Sequence, residues 1–99
     1  MSAVQADLDT LRTLYNTLSD DVQRSHDIQT TTDSALQNAV WESSNATDFR
    51  AAWEDFKPRL VAFEQLFADA ASDVATNHNN LVIANGEDDE HLPPVTAIA

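Results

Sequence analysis

The stretch Val4-Gln-Ala-Asp-Leu8-Asp-Thr-Leu11-Arg-Thr-Leu14-Tyr15-Asn-Thr-Leu18-Ser-Asp-Asp-Val22 decides the fold. Its apolar positions 4, 8, 11, 15, 18 and 22 alternate steps of four and three, the seam of a helix with a heptad repeat. A strand is excluded, because strand side chains alternate with a period of two. The same register continues through Ser25, Gln29, Thr32, Leu36 and Ala39, turning polar midway and apolar again at the end. Ser2 followed by Gln5 has the form of a capping box. Helix one is therefore predicted over about residues 3–39.

A second seam follows a short polar break. It reads Ala46, Phe49, Trp53, Phe56, Leu60, Phe63, Phe67, Ala70, Val74, Asn77 and Leu81, again in steps of three and four. Ser44 or Asn45 is suited to cap this helix, and Asp48 to complement its positive end. The bend is placed at 40–45 and helix two at about 45–82, with Asn77-His-Asn-Asn80 and Asn85-Gly86 as stop signals. Pro58 lies off the seam and predicts a bend, not a break. The only Gly and two of the three Pro fall after residue 85, so the first 85 residues have almost no turn punctuation.

The fold class is all-α: an antiparallel helix-turn-helix hairpin over residues 1–85. A reversal at 42–43 pairs positions whose numbers sum to 85, so that Thr32 meets Trp53, Gln29 meets Phe56 and Ser25 meets Leu60. The polar middle of helix one then makes room for the aromatics of helix two. Such a hairpin, roughly 50 Å long, covers each large aromatic from one side only. Leu14, Ile28, Val61 and Leu66, just off the seams, widen the apolar stripe further. The stripe thus predicts dimerisation into a four-helix bundle, with Leu14, Ile28, Phe49, Trp53, Phe56, Phe63, Leu66 and Phe67 at the partner interface.

Charge narrows the function. Seventeen acidic and five basic side chains give a formal charge of −12. Arg12, Arg24, Arg50, Lys57 and Arg59 form no basic stripe, which argues against nucleic acid and against anionic membranes at neutral pH as partners. Apolar residues at 42% support folding over wholesale disorder. With no Cys there is neither disulfide nor thiolate metal site. Neither Gly-rich phosphate loop nor helical metal pair occurs: His26, His78 and His91 are far apart and read as solvent-facing or helix-end residues. The carboxylate pairs Asp20-Asp21 and Glu54-Asp55 lack a concave site on so slim a hairpin. The chain is expected to be an interaction protein without catalytic residues, cofactor or metal. The N-terminus carries no cationic leader region, so export, if it occurs, is expected to bypass a cleaved signal peptide.

At the break stands Trp41-Glu42-Ser43, followed by Ala46, Phe49 and Trp53. In length, layout and these residues, the chain resembles the WXG family of ESAT-like proteins, small helical-hairpin substrates of type VII secretion. The resemblance implies a bend and secretion motif at Trp41 and Ser43, export as a dimer, and a related hairpin as partner. A heterodimer is favoured, because a partner richer in Lys and Arg offsets the acidic charge; a homodimer meets the same apolar stripe. Two departures stand out. Ser43 replaces the family's Gly, and the family's C-terminal Tyr-X-X-X-Asp/Glu export signal is missing, the matching stretch reading His78-Asn-Asn-Leu-Val82. The chain is thus expected to be the partner without the signal.

Residues 86–99 read as a flexible tail: the acids Glu87–Glu90, then His91-Leu-Pro-Pro-Val-Thr-Ala-Ile-Ala99. Leu92, Val95 and Ile98 recur every third residue, which places them on one edge of a polyproline II segment; frayed terminal residues are one reading of this stretch, and the resemblance implies docking on the secretion ATPase as the other. Two other functions fit the same helices: an intracellular helical interaction module, and a secreted membrane-active factor that opens in acid. The latter lacks a cationic amphipathic face.

Overall fold

The computed structural model describes residues 3–98. It consists of two helices, α1 (Ala3–Asn38) and α2 (Ser44–Asn85), joined by a connector at 39–43. They form an antiparallel hairpin 62 × 19 × 17 Å in extent, and no strand occurs among the described residues. The Ser2 half of the anticipated capping box lies outside them; Gln5 donates to Asp9 Oδ1 at 3.0 Å.

Ser43, not Ser44 or Asn45, caps α2. Its extended backbone (φ −169°, ψ 169°) brings Oγ within 3.0 Å of the Ala46 N–H, while its carbonyl accepts from Thr47 N at 3.1 Å. The side chain thereby satisfies one orphan donor of the first turn, and the carbonyl accepts the first intrahelical bond. No left-handed residue is needed at this bend, so Ser in place of Gly carries no backbone strain. At the other end α2 runs three residues past the anticipated 82 and stops at Gly86 (φ 62°, ψ 31°). Gly86 N bonds Ile83 O and Glu87 N bonds Val82 O, a Schellman reversal that requires the left-handed conformation Gly adopts freely. Pro58 sits inside α2 without interrupting it.

On α1 the buried residues Leu8, Tyr15, Val22, Ser25 and Gln29 all belong to the anticipated seam. On α2 the row shifts. Ala46 and Trp53 are buried as expected, but beyond them the buried residues are Glu64, Ala68, Ala71, Ala75, His78 and Val82, each one position after a seam residue. Helical geometry gives the reason: a strict seven-residue repeat drifts about 20° per heptad on a straight α-helix. Over five heptads this amounts to roughly 100°, or one residue. The row that faces α1 therefore follows the 3.6-residue period, and Phe56 and Phe63 rotate out of it. The pairing changes accordingly: Gln29 bonds Glu64 (3.2 Å) instead of facing Phe56, and Asp33 meets Trp53 (2.8 Å).

The segment after Gly86 packs against the hairpin. After Gly86 the chain folds back along the groove between the helices as a strap. Tyr15 Oη donates to Pro93 O (2.7 Å), and Asn79 bonds both Leu92 N (2.8 Å) and Leu92 O (2.9 Å). Ser72 Oγ bonds Val95 N and Val95 O, both at 2.9 Å, and Glu64 Oε2 accepts from Ile98 N at 2.7 Å. Leu92 and Val95 pack against the core cluster of Tyr15, Ala71 and Ala75. Pro-Pro suits such a strap, because it needs no backbone donors at 93 and 94.

Candidate partner interface

At the bend, Trp41 stacks obliquely on Phe49 (ring centroids 5.9 Å apart, 51°), and the Arg50 guanidinium lies 5.7 Å over its ring. Arg50 Nη1 also donates to Trp41 O at 2.9 Å. Trp41 and Ser43 thus share one structural unit, the ring closing the tip and the hydroxyl starting α2.

Trp53, anticipated at the partner interface, belongs instead to the hairpin interior. It is only 9% exposed, and its Nε1 donates to Asp33 Oδ1 at 2.8 Å. Lys57 Nζ reaches Asp33 Oδ2 at 3.1 Å. The Trp53 hydrogen bond first, and then Lys57, hold the Asp33 carboxyl below its usual range.

The other anticipated interface residues lie at the surface or half-buried. Leu14 and Ile28 on α1, and Phe49, Phe56, Phe63 and Leu66 on α2, are each between 43% and 59% exposed. Phe67 is half-buried and stacks on Phe63, centroids 6.5 Å apart. With successive residues about 100° apart around each helix, Arg12, Ser72 and Asn79, which touch the strap, fall on one flank of the core rows. Leu14, Ile28, Phe49, Phe56 and Phe63 fall on the other. The hairpin therefore has two unlike faces, one covered by its own C-terminal segment and one open and apolar.

The open face has a charged margin. Asp48 and Asp55, both exposed, immediately precede Phe49 and Phe56, and Arg59 lines the surface beside Phe56, Phe63 and Leu66, so the margin carries both signs of charge. Charges beside an apolar seam select partners, since like charges repel across it.

The strapped face is polar beneath its cover. His78, anticipated at the solvent, is fully buried. Its Nε2 faces Arg12 Nη2 at 3.4 Å and its Nδ1 faces Asn79 Oδ1 at 3.0 Å, so Nε2 accepts and Nδ1 donates. Arg12 also pairs with Asp89 at the start of the strap and with Asp9. Glu64, likewise fully buried, accepts from Gln29 and Ile98 N, and His26 Nδ1 stands 3.5 Å away without hydrogen-bond alignment. Of the docking residues anticipated in the tail, Leu92 and Val95 are half-buried against the hairpin and Ile98 is 50% exposed. Glu64, Ser72 and Asn79 were not singled out from sequence: each is a common surface type on a helix, and its role depends on what lies across the groove.

Among the described residues no group of three His, Cys, Asp or Glu is placed to hold a metal ion, and no helix is long and apolar enough to cross a membrane. Comparison with protein families, curated proteins and solved structures finds no match to the chain.

Proposed function

We propose that this chain is an ESAT-like interaction protein of the WXG kind, exported by a type VII secretion system in complex with a related helical hairpin. The observation that carries the reading is the open face, where five large apolar side chains, Leu14, Ile28, Phe49, Phe56 and Phe63, each about half exposed, line one side of a hairpin. Contiguous apolar surface of this kind marks a protein-protein contact. The occupant that fits is a second amphipathic hairpin, completing a four-helix bundle, and the net charge of −12 favours one richer in Lys and Arg over a second copy. In this role the chain is the member whose stretch His78–Val82 lacks the export signal, and it acts by binding instead of catalysis.

Co-purification of the tagged chain from its native cell, followed by intact-mass measurement of the complex, tests the reading. A one-to-one complex with a small, less acidic helical protein, both found in the culture medium, is the expected result. Recovery of the chain alone, as a stable cooperatively folded monomer at micromolar concentration, would overturn the bundle. A complex retained in cells whose secretion system is intact would overturn the export role.

A further inference from the structure

The strap is held in a manner that differs from the rest of the fold. Besides the Arg12–Asp89 pair and the packing of Leu92 and Val95, hairpin side chains grip its main chain: Asn79 takes both the N–H and C=O of Leu92, Ser72 takes both of Val95, Tyr15 takes the C=O of Pro93, and Glu64 the N–H of Ile98. The spacing is regular. Positions 92, 95 and 98 meet 79, 72 and 64, so three strap residues cover seven or eight helix residues. At 1.5 Å rise per helix residue this is about 3.5 to 4 Å per strap residue, close to the reach of a fully extended chain. Two turns of α2 thus match three residues of extended backbone, and main-chain bonds of this type serve any extended segment of suitable outline.

The floor of the groove points the same way. A surface covered permanently is most stable when apolar, since replacing buried ionic groups by packed hydrophobes is often neutral or stabilising. Here the floor contains Glu64 and His78, both fully buried, with Gln29 and Arg12 beside them. Such groups regain water when uncovered. Leu8, Val22, Trp53 and Ala68 are buried between the helices, and Tyr15, Ala71 and Ala75 in the same rows also carry Leu92 and Val95 of the strap. Meanwhile the strap buries its apolar residues only in part: Leu92 and Val95 are intermediate and Ile98 is 50% exposed.

We propose that the groove between α1 and α2 is a binding site for an extended peptide segment, and that residues 87–98 are its resident ligand, displaceable by a like segment in trans. The segment it takes carries a carboxylate to meet Arg12, as Asp89 does, followed by apolar side chains three residues apart. This site lies on the face opposite the apolar interface and does not rest on the type VII reading.

The test uses the full-length chain and a fluorescently labelled synthetic peptide of residues 87–99. In one variant, Leu92→Asp with Val95→Asp weakens the resident strap while leaving the groove intact. Peptide anisotropy is expected to show saturable binding to this variant and at least about tenfold weaker apparent binding to the unaltered chain, because a resident strap closed more than nine-tenths of the time reduces affinity by that fraction. Adding Asn79→Ala and Ser72→Ala to the variant is expected to abolish binding, with far-UV circular dichroism unchanged. No saturable binding to a strap-weakened chain of full helicity overturns the proposal. So does binding that survives Asn79→Ala and Ser72→Ala, which would place the peptide on the open face. Loss of helicity in the strap-weakened chain also overturns it, since the strap would then be part of the core.

Discussion

Phe56 and Phe63 offer the sharpest test of the open face, because both face away from the hairpin interior and their truncation leaves it packed. They are 43% and 50% exposed. A large aromatic buries about 150–250 Å² when fully covered, so each offers a partner roughly 70–120 Å². At about 25 cal/mol per Å² this is roughly 2–3 kcal/mol per ring if the partner covers it completely. Incomplete coverage at the rim lowers the sum for the pair to about 3–4 kcal/mol, a weakening of between a hundredfold and a thousandfold in Kd. Ala is also the better helix former, so Phe56→Ala with Phe63→Ala does not weaken α2 itself. The assay is calorimetric titration of the double variant with the partner recovered by co-purification, beside thermal unfolding of the hairpin alone. Unchanged unfolding with the predicted loss of affinity is the expected outcome. Affinity within about threefold of the unaltered chain would refute the placement of the partner on this face.

Three further substitutions probe the hairpin that presents the two faces. Leu8→Ala, at a fully buried position, is expected to cost about 3 kcal/mol in urea unfolding; a loss under about 1 kcal/mol would mean that this end of the seam packs loosely. Ser43→Ala is expected to lower stability by about 1 kcal/mol and Ser43→Gly by only a few tenths, so equal losses would remove the capping role. Asp33→Asn tests the Trp53–Lys57 contact through its pH dependence. The folded-state pKa of Asp33 is lowered, so its contribution is present above the unfolded carboxylate value of about 3.9 and fades as pH falls through the lower folded value. The variant is therefore expected to be less stable than the unaltered chain at pH 7, by a margin that shrinks as pH falls below about 3.9, and a difference undiminished in acid would assign the effect to packing.

The seam from Val4 to Val22 was enough to place α1 and its buried row, because short heptad stretches and a straight helix diverge little. Along α2 the same pattern misled from about residue 60 onward. Hydrophobicity marks where Phe56 and Phe63 are, but whether they face α1 depends on whether the helix supercoils to a 3.5-residue period or stays at 3.6. That choice is made by packing, here by Ala68, Ala71 and Ala75, whose small side chains turn toward α1. The polar middle of α1 received a correct reason in outline, room for α2, but the wrong occupant, since Gln29 meets the carboxylate of Glu64 and not an aromatic ring. The strap was illegible for a different reason. Acids and Pro-Pro signal a solvated tail, and what fastens the segment is its backbone, which has the same donors and acceptors in every sequence. Only the three-residue recurrence of Leu92, Val95 and Ile98 hinted at a one-sided contact.

The two faces also divide the charge between them. Four of the 17 acids lie at Glu87–Glu90, and the remaining 13 accompany all five cations on the hairpin. Arg12 is engaged under the strap with Asp89 and Asp9, while Lys57 and Arg50 are held at the bend by Asp33 and the Trp41 carbonyl. Three of the five cations thus serve the chain's own closure, while Asp55 and Arg59 stand beside Phe56 at the open face. A self-dimer would bring two chains of −12 together along their length, a repulsion that salt screens only in part at a partly buried seam. A cationic hairpin gains from the same field, both in the rate of encounter and in the choice of register. The net charge of −12 therefore weighs on the proposed contact as a whole, favouring a partner of opposite charge over a second copy.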